Sequence, residues 1–137
     1  MNRDEAVAVI EALQGAQAAL YEHGDPGPVR DVLAKEVVWV VPGASPIAGT
    51  YRGVEETVRY MLARHDLAAG TFRMSRRALL TGDGWIAALT DGSARIGGRD
   101  HTWSTVGLYE ATNGRIESCR LIPFDQAQFD AIWSAAG

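Results

Sequence analysis

Apolar residues recur at helical spacing through Ala6, Ile10, Leu13, Leu20 and Tyr21, which predicts an amphipathic helix over about Arg3 to Glu22. Asn2 with Glu5 three residues later has the spacing of a capping box at its start. Asp25-Pro26 then opens a second short helix to about Ala34, because Asp caps free N–H groups and Pro suits the first helical position. An apolar run marks a strand at Val37 to Val41. Val54, Val58, Met61, Leu62 and His65 share one face of a third helix over about Val54 to Asp66. The remainder reads as strands at about Gly70 to Thr81, Trp85 to Ile96, His101 to Thr112 and Arg115 to Ile122. They are joined by Asp83-Gly84, Gly97-Gly98 and Asn113-Gly114, dipeptides that favour tight hairpins. Asp125 with Gln128 caps a last helix, with Phe124 and Phe129 at the positions of a hydrophobic staple. Helices followed by an antiparallel meander make an α+β fold. A length of 137 residues makes one domain, with room for one core and a modest pocket.

Two-residue turns fix the register arithmetically, since directly opposite residues share a sheet face. Gly82 opposite Trp85 sets Arg76 against Asp91. Ile96 opposite Arg99 sets Asp91 against Ser104, and Thr112 opposite Arg115 sets Val106 against Leu121. One face then collects Leu80, Ala78, Arg76, Leu89, Asp91, Ser104, Val106, Cys119 and Leu121. This mostly apolar face, crossed by the polar row Arg76, Asp91 and Ser104, is the expected pocket side. Trp103, Tyr109, Arg120 and Ile122 face outward, where amphipathic aromatics suit a homodimer interface. A bulge in any of the long hairpins reverses these facings.

The formal net charge of −4 argues against a phosphate backbone as partner, since nucleic-acid binders concentrate Lys and Arg. One cysteine, Cys119, excludes an internal disulfide and a Cys-based zinc cluster. His23, His65 and His101 show no metal-ligand spacing, so no metal or cofactor is expected. The N-terminus is charged and helical, and no apolar stretch approaches a membrane span. The expectation is a cytoplasmic protein without a membrane partner.

The order of strand, Pro/Gly/Ser loop and amphipathic helix in VVPGASPIAGTYRGVEETVRYM, from Val40 to Met61, resembles the ketosteroid-isomerase-like group, which includes the SnoaL-type polyketide cyclases and nuclear transport factor two. YEHGD from Tyr21 to Asp25, the Asn113 to Ile116 turn and FDQAQFDAIW from Phe124 to Trp133 extend the resemblance over nearly the whole chain. It implies a curved antiparallel sheet wrapped with helices around a pocket, a cone-shaped barrel. It does not fix the chemistry, because one scaffold hosts many activities. The resemblance puts the isomerases' oxyanion-hole acid at Val106, their general base at Val41 and their donor tyrosine at Gln17, and an acid of the cyclases near Leu121. None of these groups is retained, so isomerisation by that mechanism is excluded.

Asp91 is then the sharpest candidate for a general acid or base, because burial raises its pKa and Arg76 lowers it. Arg76 holds that carboxylate or stabilises developing negative charge. The structural alternative is a buried ion pair, or a bulge near Gly92. Gln17, polar within the first helix's apolar stripe, needs a partner in protein, water or ligand, and with Ser104 it would orient a carbonyl or hydroxyl. His65 is either a satisfied core histidine or a proton-transfer group. Trp39, Leu89, Val106 and Leu121 would enclose a ring system, and Cys119 is a small apolar wall residue. Three readings follow. One is a cofactor-free acid/base enzyme, a cyclase, isomerase, dehydratase or hydrolase, acting on an apolar cyclic or polyketide-like molecule. Another is a non-catalytic small-molecule-binding protein. The third is a dimeric interaction module with a filled core, in which the aromatic outer face matters more than the cavity.

Overall fold

The computed structural model describes residues 1–135. Its helices are α1 (Arg3–His23), α2 (Gly27–Val32), α3 (Gly53–Leu67) and α4 (Gln126–Ser134). Its strands are β1 (Leu33–Val41), β2 (Gly49–Arg52), β3 (Arg73–Gly82), β4 (Trp85–Ile96), β5 (Arg99–Thr112) and β6 (Arg115–Pro123). They form one six-stranded sheet in the order β2-β1-β6-β5-β4-β3. The sheet is mixed, because β1 runs parallel to β6. It is also open rather than a closed barrel, with β2 and β3 as its edges. The α+β architecture is the expected one, whereas β2 occupies a segment that reads as loop.

The local signals act as their chemistry dictates. Asn2 accepts a hydrogen bond from the Glu5 amide and starts α1, and Gly24, at φ 68°, ends it. Asp125 accepts from the Gln128 amide and starts α4. Gly97-Gly98 and Asn113-Gly114 have positive φ at both positions, as two-residue hairpin turns require.

Two bulges change the strand register. Arg77 is an extra residue in β3, so Asp91 lies opposite Ser75 and Thr90 opposite Arg76. Glu117 is extra in β6, so Val106 lies opposite Ile122, and Leu121 lies opposite Gly107. Between β4 and β5 the expected register holds, with Asp91 opposite Ser104.

The face covered by helices carries Ile86, Ala88, Ala94 and Ile96 of β4, Trp103, Thr105 and Tyr109 of β5, Cys119 of β6 and Trp39 of β1, all buried. Trp103 and Tyr109 therefore point inward, contrary to the expectation from sequence. Their rings lie across glycines: a Cβ on Gly92 would stand 2.5 Å from the Trp103 indole, and one on Gly107 would stand 2.7 Å from the Tyr109 ring. Phe72, Trp103, Phe129 and Trp133 pack as one aromatic cluster under α4.

Candidate functional site

Asp91 stands on the outer face of the sheet, its side chain 44% exposed. Its partner is Arg77 rather than Arg76, because the extra residue in β3 delivers the Arg77 guanidinium to that face. Arg77 Nη2 donates to Asp91 Oδ1 at 2.5 Å and Nε to Oδ2 at 3.2 Å. The Ser104 hydroxyl donates to Oδ1 at 2.7 Å. The Arg77 and then the Ser104 hydrogen bonds hold the Asp91 carboxyl below the usual carboxylate range. Leu89 and Val106 share this outer face with Asp91 and Ser104. An open groove of about 560 Å³ runs here, lined by Asp91, Ser93, Thr102, Ser104 and Phe124.

The other expected residues face the interior. Gln17 is buried on α1, Trp39 and Cys119 are opposite one another on β1 and β6, and Leu121 is half-buried beside Gly107. His65 is half-buried on α3, its ring stacked on Tyr21 at 6.4 Å. Arg76 turns toward α1, where Nη2 lies 4.0 Å from Glu11 and Nη1 is buried without a partner among the described residues. With Thr90 and Thr105 it makes the inner polar row, one residue out of step with the row expected from sequence.

At the centre of the interior is Arg64, which the sequence reading missed. It is 4% exposed. Its Nη1 donates to the Tyr60 hydroxyl at 3.0 Å and its Nη2 donates to the Tyr21 hydroxyl. The guanidinium carbon lies 4.3 Å from the Phe72 ring centre, 5.0 Å from that of Tyr60 and 5.5 Å from that of Tyr21. Burial alone would lower the Arg64 pKa, and the two tyrosines more than offset it, so the group stays charged. Burial pushes the Tyr21, Tyr60 and Tyr109 phenols up, and the Cys119 thiol likewise, which keeps all four protonated. Cys119 is thus no nucleophile. Thr57, Val58, Tyr60, Met61 and Arg64 are the buried residues of α3, and Thr57, Tyr60, Met61 and Arg64 fall at spacings of three and four residues on one stripe. That periodicity was the available signal, obscured because an arginine in a helix ordinarily marks the solvent face.

No Asp or Glu is buried among the described residues. Nor do any three of their His, Cys, Asp and Glu side chains cluster so as to hold a metal ion. Between α1 and β3 a cleft of about 150 Å³ opens to the surface, lined by Gln14, Tyr21, Glu22, Arg73, Met74 and Arg76. A second depression of about 360 Å³ lies over Ile47, Tyr51 and Tyr60. Each holds one of the tyrosines that Arg64 binds.

No protein-family model and no curated protein sequence matches the chain significantly. Solved structures do. Bal32a, from a soil-derived mobile gene cassette, is 25% identical with a TM-score of 0.83, over 94% of this chain and 98% of that one. An NTF2-like protein from Burkholderia xenovorans LB400 is 18% identical with a TM-score of 0.75, over 97% and 98%. A protein assigned as a SnoaL-like polyketide cyclase, from Jannaschia sp. CCS1, is 10% identical with a TM-score of 0.80, over 98% of both chains. The fold is that of the SnoaL-like, NTF2-like superfamily. In this SnoaL-like fold Gln17 and Val41 line the inside and the Glu117 bulge brings Leu121 there, whereas Val106 lies on the outer face of β5 with Leu89, Asp91 and Ser104. No helix is long and apolar enough to cross a membrane among the described residues.

Proposed function

We propose that this SnoaL-like chain is a binding protein for a small organic molecule, held in the cleft between α1 and β3 and released unchanged. One observation carries the reading. The interior gathers a buried cation and neutral hydroxyl, amide and indole donors among aromatic walls, and it buries no carboxylate among the described residues. Such a surface recognises a ligand, with apolar walls and a few convergent polar groups. It buries none of the carboxylate bases on which the acid/base reading relied. Tyr21 and Arg76 face the ligand in this reading, and Gln17, Trp39, His65, Cys119 and Leu121 form the interior packed behind the cleft. Native mass spectrometry of the purified protein, followed by extraction, tests it: the expected result is a bound molecule recovered unchanged. Product formed from it in a single turnover would contradict the binding reading.

A second reading rests on the groove beside Asp91. There Asp91 and Ser104 would serve an acid/base enzyme on the outer face, with Arg77 in the role first expected of Arg76. The geometry supports it less, because an ion-paired, water-exposed carboxylate is a weak base. We further propose that the outer face forms a homodimer. Leu80, Ile122 and Phe124 are 61%, 44% and 58% exposed there or at its rim, an apolar patch of the kind that marks an interface.

A further inference from the structure

Three polar groups without partners surround Tyr21. Arg64 Nε, His65 Nδ1 and Arg76 Nη1 are all buried and make no hydrogen bond among the described residues. Arg64 lies over the Tyr21 ring, His65 is stacked on it, and Arg76 lines the same cleft as Tyr21. Buried polar groups in native proteins almost always find partners, so an unmatched one on the wall of the cleft and two behind its Tyr21 point to a missing ligand. Their charge specifies its sign. Arg64 makes no salt bridge among the described residues, although buried charges are ordinarily paired.

We propose that the cleft between α1 and β3 binds a carboxylate carried on a single ring or a short chain, with Arg76 and the Tyr21 hydroxyl gripping its oxygens and Arg64 supplying charge from behind. The inference rests on the binding reading above and adds the ligand's charge and size. Tyr21 Oη accepts from Arg64 Nη2, so its own proton must point away from the guanidinium. No acceptor for that proton is found among the described residues, and Tyr21 lines the cleft. Burial keeps the phenol protonated, and hence a donor, at neutral pH.

The acids nearby do not fill the role. Glu11 engages Arg76 Nη2 from a side chain that is 63% exposed and leaves the buried Nη1 without a hydrogen bond among the described residues. Glu22 lines the rim with its carboxylate largely in water, and Arg73 on the opposite wall is committed to the Gly70 and Phe72 carbonyls. A guanidinium with a free edge matches the flat fork of a carboxylate. The volume of about 150 Å³ suits roughly one aromatic ring and is too small for a fused polycycle.

Titration calorimetry with benzoate and its neutral counterpart benzamide, on wild type, Arg76→Gln and Tyr21→Phe, tests the proposal. Benzoate should bind at least about tenfold more tightly than benzamide. Both variants, checked for native circular dichroism, should lose that preference; Tyr21→Phe keeps the ring and decides the matter should Arg76→Gln fold poorly. Equal affinities for the two probes in wild type would overturn the charge assignment while leaving small-molecule binding intact. Benzoate affinity unchanged in both variants would overturn the site. No binding of either probe, or of any neutral ring-sized compound, would overturn this inference and the binding reading together.

Discussion

Arg64 of α3 reaches across the interior and donates a hydrogen bond to the hydroxyl of Tyr21 on α1, with no acid to balance its charge among the described residues. Taking a guanidinium out of water is costly, and replacing a buried charged group with an apolar one of similar volume is often neutral or stabilising. Arg64→Met is therefore expected to be as stable as wild type or more so in urea unfolding, and to lose ligand affinity. Arg64→Ala, which also empties the space between Tyr21, Tyr60 and Phe72, is expected to lose about 2–5 kcal/mol. A methionine variant less stable than the alanine variant would contradict an arginine kept for binding.

Asp91 carries the clearest pH signature. Its carboxyl is held low by Arg77 and Ser104. A depressed carboxyl contributes stability that is present above its unfolded pKa, about 3.9, and is lost as pH falls through the lower folded value. Because the group is exposed, that contribution is small. Carboxyl NMR should give Asp91 a midpoint below that of a free aspartate, and Arg77→Gln should raise it. Asp91→Asn should leave ligand binding unchanged; loss of binding or of turnover in that variant would move the site to the outer groove.

Trp103 owes its place to Gly92. Gly92→Ala drives a methyl to 2.5 Å from the indole, and overpacking of this kind costs about 1–3 kcal/mol. Gly82→Ala, which meets nothing within 4 Å, is the control and should be close to neutral. Thermal unfolding and near-ultraviolet circular dichroism would reveal the difference. Equal effects of the two substitutions would contradict the packing described for the inner face.

The element order was legible because caps and turns are local chemistry. Asn2 and Asp125 cap the helices that their neighbours foretell, and Asn113-Gly114 turns where expected. Facing was not legible, for two physical reasons. Each bulge adds one residue, and nothing distinguishes Arg77 from Arg76, or Glu117 from its polar neighbours, until a partner strand is present. The apolar count also points the wrong way. The outer face bears Leu80, Leu89, Val106 and Ile122, whereas the inner face offers Ala88, Gly92 and Gly107, whose lack of bulk makes room for the Trp103 and Tyr109 rings. Asp91 opposite Ser104 was legible, since no bulge interrupts that pair of strands.

The same exposed residues make the assembly testable. If Leu80, Ile122 and Phe124 meet a second copy, light scattering after size exclusion should report a dimer, and Ile122→Lys should yield a folded monomer. A monomeric wild type at high concentration would contradict the homodimer.

The most direct measurement is a map of backbone amide shifts during titration with benzoate. Saturable shifts at Gln14, Ala18, Tyr21 and Met74, around the cleft between α1 and β3, are the expected result. Shifts confined to Ser93, Thr102 and Ser104 on the outer face, or no saturable shift at all, would contradict binding through that cleft.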